Sequence, residues 1–244
     1  MKKRNRKERR LEQFGKKNVK TTKATPVVEK KIEKPVVTIN PLNEKQDDYY
    51  MSLLGDPCVI CTGAAGTGKT YLAASVAAKD LADGRINRII LSRANVSTGK
   101  SIGALPGTVE EKMLPWLMPM LDVLKSQLGT DYFNNAMKTK TIEVQPIETI
   151  RGRSFDDTIV LMDEAQQLTK EELKAITTRI GENSKLYLMG DRAQRDVRTD
   201  GLKWLLDLVC KHNLPVAYHT FTSDDIVRSG LCKMFVKAYE KEDD

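Results

Sequence analysis

Residues 63 to 70 read Gly-Ala-Ala-Gly-Thr-Gly-Lys-Thr, which is a complete phosphate-binding loop. In such a loop the glycines let backbone N–H groups converge on phosphates, the lysine neutralises the β- and γ-oxygens, and the last hydroxyl holds Mg²⁺. An apolar run precedes the loop and a helical pattern follows it, as the loop requires. The sequence therefore predicts a nucleoside triphosphate site. Its members are Gly63, Ala64, Ala65, Gly66, Thr67, Gly68, Lys69, Thr70 and Tyr71.

Two carboxylates follow an apolar run farther along the chain. Residues 159 to 162 are Ile-Val-Leu-Met, and Asp163 and Glu164 come directly after them. At the end of a strand in a P-loop NTPase, Asp163 would hold Mg²⁺ through water and Glu164 would polarise the attacking water. Acidic pairs also occur on solvated loops, but the apolar run and the position downstream of Lys69 favour the catalytic interpretation.

Two side-chain amides complete the candidate set. The pattern Gly-Asp-x-x-Gln puts Gln194 just after a third apolar run, where it could orient water or report the γ-phosphate. An ordinary turn after a strand is the alternative. Gln46 lies ahead of the phosphate loop in an Asn-x-x-Gln setting. A side-chain amide can pair with N6 and N7 of adenine, which favours ATP over GTP, although isolated glutamines are usually surface residues.

The basic charge of the chain is concentrated at its start. Residues 1–40 hold 14 Lys or Arg against four Glu, whereas the remainder carries a net charge of −3. The basic segment has few aromatic residues and no sustained apolar period. We therefore expect residues 1–38 to be a disordered tail and residues 39–244 to be the folded domain. The tail could be an electrostatic arm for nucleic acid or a solubilising extension.

Composition points to a protein without membrane partners. Hydrophobic residues make up 40% of the 244 residues, which is enough for a core. No run approaches the ~18 apolar residues of a membrane span, and the charged N-terminus does not resemble a signal peptide, so we expect a cytoplasmic protein. Cys58 and Cys61 do not predict a zinc site, because strand alternation would put them on opposite faces. Buried, reduced thiols are the expectation.

Apolar β-rich runs alternate with helical stretches after residue 56. We expect strands at 59–61, 86–91, 158–162, 185–189 and 216–221, and helices near 69–82, 109–128, 170–180, 201–211 and 224–240. This alternation predicts an α/β fold, a single RecA-like P-loop NTPase domain with a parallel central sheet flanked by helices. Asp163 and Asp191 would then lie at the carboxyl ends of strands, where ligands collect.

The four motifs, in this order, resemble the first motor domain of superfamily 1 helicases and, more closely, the PhoH family of single-domain ATPases. The resemblance covers about residues 38–240 and includes segments 92–95, 103–107, 110–112, 151–154, 225–228 and 238–240. The chain departs from the family pattern at Ala94, where proline is usual, and at Arg195, where an apolar residue is usual. The resemblance implies an ATPase that needs Mg²⁺ and acts on RNA or single-stranded DNA.

In superfamily 1 helicases the segment after the second strand touches single-stranded nucleic acid. By this resemblance, Arg93, Ser97, Thr98 and Lys100 are expected to contact the nucleic-acid backbone. Hydroxyls and cations suit that task without reading sequence. A polar strand exit is an equal alternative.

The chain has two tryptophans, Trp116 and Trp204. Either indole could stack on a base. Both lie among leucines at helical spacing, however, so we expect both to pack in the core.

A translocating helicase closes two motor domains around ATP, and the second supplies an arginine that stabilises charge on the transferring phosphoryl group. Residues 41–244 are too few for two such domains. The arginine is therefore expected either from the C-terminal helix of the same chain or from a neighbouring subunit. Arg228 is the candidate, with Arg153 and Arg195 as weaker ones. An interface that repeats and closes gives a ring, so we expect a homo-oligomer, by resemblance a hexamer.

The leading hypothesis is a Mg²⁺-dependent ATPase stimulated by RNA or single-stranded DNA. The alternative is a nucleotide-dependent binding switch that hydrolyses ATP slowly and unwinds nothing. A small-molecule kinase is disfavoured, because residues 190–194 have no obvious place in one.

Overall fold

The fold was analysed in a computed structural model that describes residues 34–94, 107–150, 152–194 and 200–243. These residues belong to one compact unit, Ile32–Asp244. Most of the predicted basic tail lies outside them. Val37, which was assigned to that tail, is only 7% exposed and packs into the core. The compact unit therefore begins before the predicted boundary at residue 38.

Six strands of the described chain form one fully parallel sheet. They are β1 (Cys58–Gly63), β2 (Arg88–Arg93), β3 (Ile142–Val144), β4 (Thr158–Asp163), β5 (Lys185–Gly190) and β6 (Val216–Phe221). Their order across the sheet is β3-β2-β4-β5-β1-β6. The five predicted strands are confirmed, and the three-residue edge strand β3 is an addition. Strand β5 lies between β1, which leads into the phosphate loop, and β4, which ends in Asp163.

Helices cover both faces of the sheet. They are α1 (Glu44–Gly55), α2 (Lys69–Asp83), α3 (Val109–Leu128), α4 (Thr130–Lys138), α5 (Ile147–Ile150), α6 (Lys170–Thr177), α7 (Gly201–His212) and α8 (Gly230–Asp243). The prediction of helices on a parallel sheet is confirmed. Helices α1, α4 and α5 were not predicted. The helix expected near 224–240 begins only at Gly230, after a short turn at Ser223–Asp225.

Alternation along the strands builds two cores. On β4, Ile159 and Leu161 face the layer made by α1 to α4, whereas Val160 and Met162 face the layer made by α5 to α7. All four side chains are fully buried. Residues buried on both faces are typical of a parallel sheet covered by crossover helices. This double burial fixes the strands firmly, so the loops at their carboxyl ends start from rigid positions.

The same alternation separates the two cysteines of β1, as expected: Cys61 lies in the first core and Cys58 packs against the second. Burial raises the pKa of both thiols to about 12. The expectation that all thiols are buried is wrong for Cys210, which is exposed. None of the helices in the described ranges combines the length and apolar character that crossing a membrane requires.

The expectation for Trp116 is also wrong. This residue lies on α3 and is 41% exposed, because the buried stripe of the helix runs through Met113, Leu117 and Leu124 and leaves Trp116 at its margin. Trp204, on α7, is half-buried and packs against the second core. The ammonium groups of Lys170 and Lys174 lie 4.9 and 5.6 Å from its ring centroid.

Candidate nucleotide-binding site

The phosphate loop joins β1 to α2 at the carboxyl edge of the sheet. Helix α2 begins at Lys69 after Gly68, which has the left-handed φ of 88°. A helix of 15 residues directs its unpaired N–H groups and the positive end of its dipole into the loop. These features form a ready anion site.

The side chain of Lys69 crosses the phosphate loop and bonds to its carbonyl oxygens. Its Nζ donates to the carbonyl oxygens of Gly63 at 2.6 Å and Ala64 at 2.8 Å, and more weakly to Thr67 Oγ1 at 3.4 Å. The hydroxyl of Thr67 in turn donates to the Ala64 carbonyl at 3.0 Å. The ammonium therefore lies in the concavity of the loop, held by neutral oxygens that phosphate oxygens could replace.

Acidic groups from two other strands lie close enough to this ammonium to act on its pKa. Burial lowers the pKa of Lys69, and the carboxylates of Asp191, Asp163 and Glu164 oppose that shift. Asp163 ends β4 and Asp191 follows β5, so the strand order brings both to the loop. The sequence-predicted members Lys69, Asp163 and Glu164 thus lie in one site.

Asp163 is the best placed oxygen ligand for a divalent cation. Burial raises the pKa of its carboxyl group, an effect that Arg93 and Lys69 oppose and Glu164 reinforces. A bound cation would relieve this burial cost. The Thr70 hydroxyl, in the first turn of α2, forms no hydrogen bond within the described part of the chain. One carboxylate and one hydroxyl suit Mg²⁺, which usually takes its remaining oxygens from phosphates and water.

Glu164 has a strained backbone and a hydrogen-bonded side chain. Its φ of 53° lies in the left-handed region, which is uncommon for a residue other than glycine and occurs frequently at functional sites. Its Oε1 accepts from Arg93 Nη2 at 2.9 Å, and its Oε2 accepts from Gln166 Nε2 at 2.6 Å. Each carboxylate oxygen therefore accepts one hydrogen bond from the protein and keeps a second lone pair.

Gln166 connects the acidic strand to the next one, and the sequence reasoning missed this role. While its Nε2 donates to Glu164, its Oε1 accepts from the backbone N–H of Asp191 at 3.0 Å. Asp191 Oδ2 accepts from Gln194 Nε2 at 2.8 Å. Gln194, the predicted γ-phosphate sensor, is thus exposed and tied to Asp191. The signal for Gln166 was present in the sequence, two residues after Glu164 on a turn that must cross toward β5.

Gln46 lies beneath the phosphate loop. Its Nε2 donates to the Thr67 carbonyl at 2.9 Å, its Oε1 accepts from the Leu42 N–H at 2.8 Å, and the residue is only 3% exposed. Asn43 caps α1 by accepting from the Gln46 N–H at 2.9 Å, which fixes this orientation. The amide keeps a second N–H and a second lone pair, but because the side chain is buried, the predicted contact with adenine would require it or its neighbours to move.

Arg228 lies on the opposite side of the loop. A Cβ built on Gly66 would meet Arg228 Cδ at 2.9 Å, and the Val227 N–H donates to the Gly66 carbonyl at 3.1 Å. The turn before this segment is held by the Lys45–Asp225 ion pair at 2.8 Å. The candidate arginine of the same chain therefore packs on the phosphate loop.

The remaining predicted residues fall elsewhere. Arg153 pairs with Glu143 on edge strand β3, well away from β1 across the sheet, so it is not placed to serve this site. Tyr71 points outward, and its hydroxyl accepts from Gln127. Four predicted residues lie outside the described residues: Ser97, Thr98, Lys100 and Arg195.

We expect Gly68→Ala to weaken nucleotide binding by about tenfold or more, because a Cβ there would lie 2.7 Å from Gln46 Nε2 on a left-handed residue. A fluorescent ADP analogue would measure the affinity, and thermal unfolding would report the accompanying loss of stability. Gly55→Ala is the matched control, since its Cβ would have no neighbour within 4 Å. Unchanged affinity in Gly68→Ala would contradict the assignment of this loop.

We expect Asp163→Asn to stabilise the metal-free protein at pH 7. Because the folded-state pKa of Asp163 is raised, its contribution to stability is present only below the unfolded pKa and is lost as the pH rises through the folded pKa. Asparagine removes the free-energy cost of burying the ionised carboxylate, so Tm should rise by about 2–4 °C for each kcal/mol of that cost. The rise should be smaller at lower pH, where Asp163 is protonated in the folded protein. Thermal unfolding in a chelator measures this. Exposed Asp122→Asn serves as control, and a lower Tm for Asp163→Asn would show that the buried charge is stabilising.

Comparisons with known proteins agree on one family. Residues 38–240 match the family described as "PhoH-like protein". The "PhoH-like protein" of Bacillus subtilis (strain 168) is 38% identical over 201 residues, which cover 81% of this chain and 62% of that protein. "Protein PhoH" of Escherichia coli (strain K12) is 33% identical over 201 residues, which cover 81% and 57%. The chain spans about three-fifths of the length of these relatives.

A solved structure agrees at the level of the fold. The large terminase of a thermophilic bacteriophage, in complex with ADP, is similar with a TM-score of 0.52 and 17% identity over 81% of this chain and 50% of that one. At this identity the likeness establishes the RecA-like P-loop architecture and nothing finer. Together with the sequence match and the geometry of the loop, it leads to one assignment. This chain belongs to the PhoH-like family of P-loop proteins.

Proposed function

We propose that this protein is a Mg²⁺-dependent ATPase whose turnover responds to RNA or single-stranded DNA. The observation that carries the proposal is the placement of the Lys69 ammonium: it lies in the loop on carbonyl oxygens, with Asp163, Glu164 and Asp191 close enough to act on its pKa. A cation facing two strand ends that carry acidic groups is the arrangement that phosphoryl transfer requires.

In the proposed binding step, the β- and γ-phosphates replace the carbonyl oxygens of Gly63 and Ala64 as partners of Lys69. The exchange is favourable because an ammonium bonds an anionic oxygen more strongly than a neutral one. The N–H groups at the start of α2 and the helix dipole add to this attraction. Asp163 and Thr70 would hold Mg²⁺, which would supply positive charge to neutralise the phosphates.

In the proposed hydrolytic step, Glu164 accepts a hydrogen bond from the attacking water and polarises it toward the γ-phosphorus. Gln194 leaves Asp191 to report the γ-phosphate, and Gln166 links Glu164 to the backbone of Asp191 through hydrogen bonds at 2.6 and 3.0 Å. Gln46 would connect a bound adenine to the phosphate loop through its hydrogen bond to the Thr67 carbonyl. Selection of adenine by its amide is proposed as an exchange with the Leu42 N–H bond.

The second candidate function is a nucleotide-dependent binding switch with slow hydrolysis and no strand separation. A specific observation favours it: Arg93 and Gln166 each donate to one oxygen of Glu164, so the resting carboxylate is held in one position by the protein. Stimulation of turnover by single-stranded RNA or DNA would favour the ATPase, and a constant slow rate would favour the switch.

Whether the arginine that stabilises the phosphoryl group comes from the same chain or from a neighbouring subunit bears on the oligomeric state. Because Arg228 packs on Gly66 of its own chain, we propose that it acts in cis and swings toward the γ-phosphate. A homo-oligomer, such as a hexameric ring, is compatible with this role. It is supported by the apolar residues that α8 exposes shortly after Arg228, which are Leu231, Met234, Phe235 and Tyr239.

Replacing Lys69 by alanine should abolish hydrolysis, because no other described cation lies in the concavity of the loop. We expect kcat to fall by at least about 10³-fold, the scale on which a charge that stabilises phosphoryl transfer acts. Phosphate release under saturating Mg·ATP measures the rate. Lys79→Ala, on the same helix but paired with surface Asp83, should leave turnover unchanged. A Lys69→Ala protein that keeps most of its turnover would refute the proposed function.

Mixing two inactive variants distinguishes an arginine acting in cis from one acting in trans. Arg228→Ala should lose about 10³-fold in kcat if Arg228 stabilises the transferring phosphoryl group. If Arg228 serves its own loop, a mixture of Arg228→Ala and Lys69→Ala proteins should show only the sum of their residual rates. Recovery of activity in the mixture would mean that an intact Lys69 site is completed by the arginine of a neighbouring subunit.

A further inference from the structure

Arg93, the last residue of β2, joins the acidic strand to the outer helix α3. Its Nη2 donates to Glu164 Oε1 at 2.9 Å, and its Nη1 donates to the Trp116 carbonyl at 2.8 Å and lies 3.7 Å from Asp163 Oδ2. The register of β2 on β4 pairs Arg93 directly with Asp163, so this bridge follows from the sheet itself. One guanidinium therefore contacts the candidate base, a candidate metal ligand and α3.

The Arg93 bridge fixes the Glu164 carboxylate in place. Arg93 and Gln166 each donate to one of its oxygens, so a water that approaches Oε1 has to share that oxygen with a charged donor, which binds a carboxylate more strongly than a neutral one does. Of the two donors, Arg93 is the one that another anion can capture, since 24% of its side chain faces solvent.

The surface next to this bridge has the composition of a single-strand contact. Trp116, whose carbonyl holds Arg93, is 41% exposed on α3. An exposed indole and a guanidinium held by the same residue's carbonyl are groups with which proteins stack a base and hold the adjoining phosphate.

We propose that Arg93 exchanges partners between Glu164 and a single-stranded nucleic acid: a base stacks on Trp116, the neighbouring phosphate captures the Arg93 guanidinium, and Glu164 is released to orient water. Phosphate competes well because the guanidinium fork binds phosphate and carboxylate with the same bidentate geometry. Arg93 is thus a positioning residue for Glu164 and part of a nucleic-acid site. This inference rests on the proposed ATPase function and specifies how nucleic acid would regulate it.

The binding half of the inference is tested without hydrolysis. In the full-length Trp204→Phe protein, Trp116 is the sole tryptophan. With Mg·ADP present, titration with oligo(U) and, separately, oligo(dT) should quench its fluorescence to saturation. In the double variant Trp204→Phe/Arg93→Ala the affinity for oligonucleotide should fall roughly tenfold, as expected for the loss of one charged phosphate contact. In Trp204→Phe/Arg93→Lys it should fall less. Binding to the basic N-terminal segment alone would leave Trp116 fluorescence unchanged, and that result would overturn the proposal.

The regulatory half of the proposal is tested by measuring ATP turnover with and without oligonucleotide. Arg93→Ala should raise the basal ATPase rate several-fold and abolish stimulation by either oligonucleotide, whereas a merely structural arginine would lower both rates. Arg88→Ala, at the other end of β2, is the matched control and should respond like wild type.

The stacking contact has its own variant. Trp116→Ala keeps the backbone carbonyl that holds Arg93 and removes only the indole, so it should lose about tenfold in oligonucleotide affinity, as expected for one stacked base. Because this variant lacks the fluorescent side chain, the affinity is measured by the anisotropy of labelled oligo(U) and oligo(dT). Wild-type affinity in Trp116→Ala would contradict the stacking contact.

The outcomes separate the two levels of the proposal. A wild-type protein that binds oligonucleotide at Trp116 but never hydrolyses ATP would refute the ATPase function and also the regulatory half, while leaving the binding site intact. A wild-type protein that hydrolyses ATP while Arg93→Ala keeps both its affinity and its stimulation would refute the exchange alone.

Discussion

The buried ammonium of Lys69 is the group on which the rest of the site depends. Burial lowers its pKa, the acidic groups at the ends of β4 and β5 oppose that shift, and carbonyl oxygens of the loop accept its hydrogen bonds. The carboxylates come from strands distant in sequence, and they lie at the same edge because those strands run parallel. The doubly covered sheet provides that convergence.

The phosphate loop is also enclosed from outside by two segments far apart in the chain. Gln46, on α1, bonds to Thr67 and fills the space that a side chain on Gly68 would need, and Arg228 fills the corresponding space at Gly66. The glycines thus serve two purposes, since they expose N–H groups to phosphate and admit these neighbours. A nucleotide that displaced the loop would therefore disturb its contacts with α1 and with the segment before α8.

Spacing was sufficient to predict the loop, the acidic pair and the α/β fold, because each depends on neighbours in sequence: a strand, a tight turn and a helix in a fixed order. Helix α1 was missed although its Asn43 cap was visible, because its short apolar face gives a weak period. Trp116 was assigned to the core since leucine spacing indicates only that a helix has a buried stripe, and a residue one position off the stripe faces water. The Arg93–Glu164 pair could not be predicted, because it depends on β2 lying next to β4. Local sequence patterns do not reveal the order of strands in a sheet.

A crystal structure of the protein with Mg²⁺, ADP and a γ-phosphate analogue would test the central claim most directly. We expect Lys69 Nζ to leave the carbonyl oxygens of Gly63 and Ala64 and to lie at hydrogen-bond distance, about 2.7–3.0 Å, from β- and γ-phosphate oxygens, with Asp163 on the metal side. The account is contradicted if Lys69 keeps its bonds to the loop carbonyls while the nucleotide binds elsewhere.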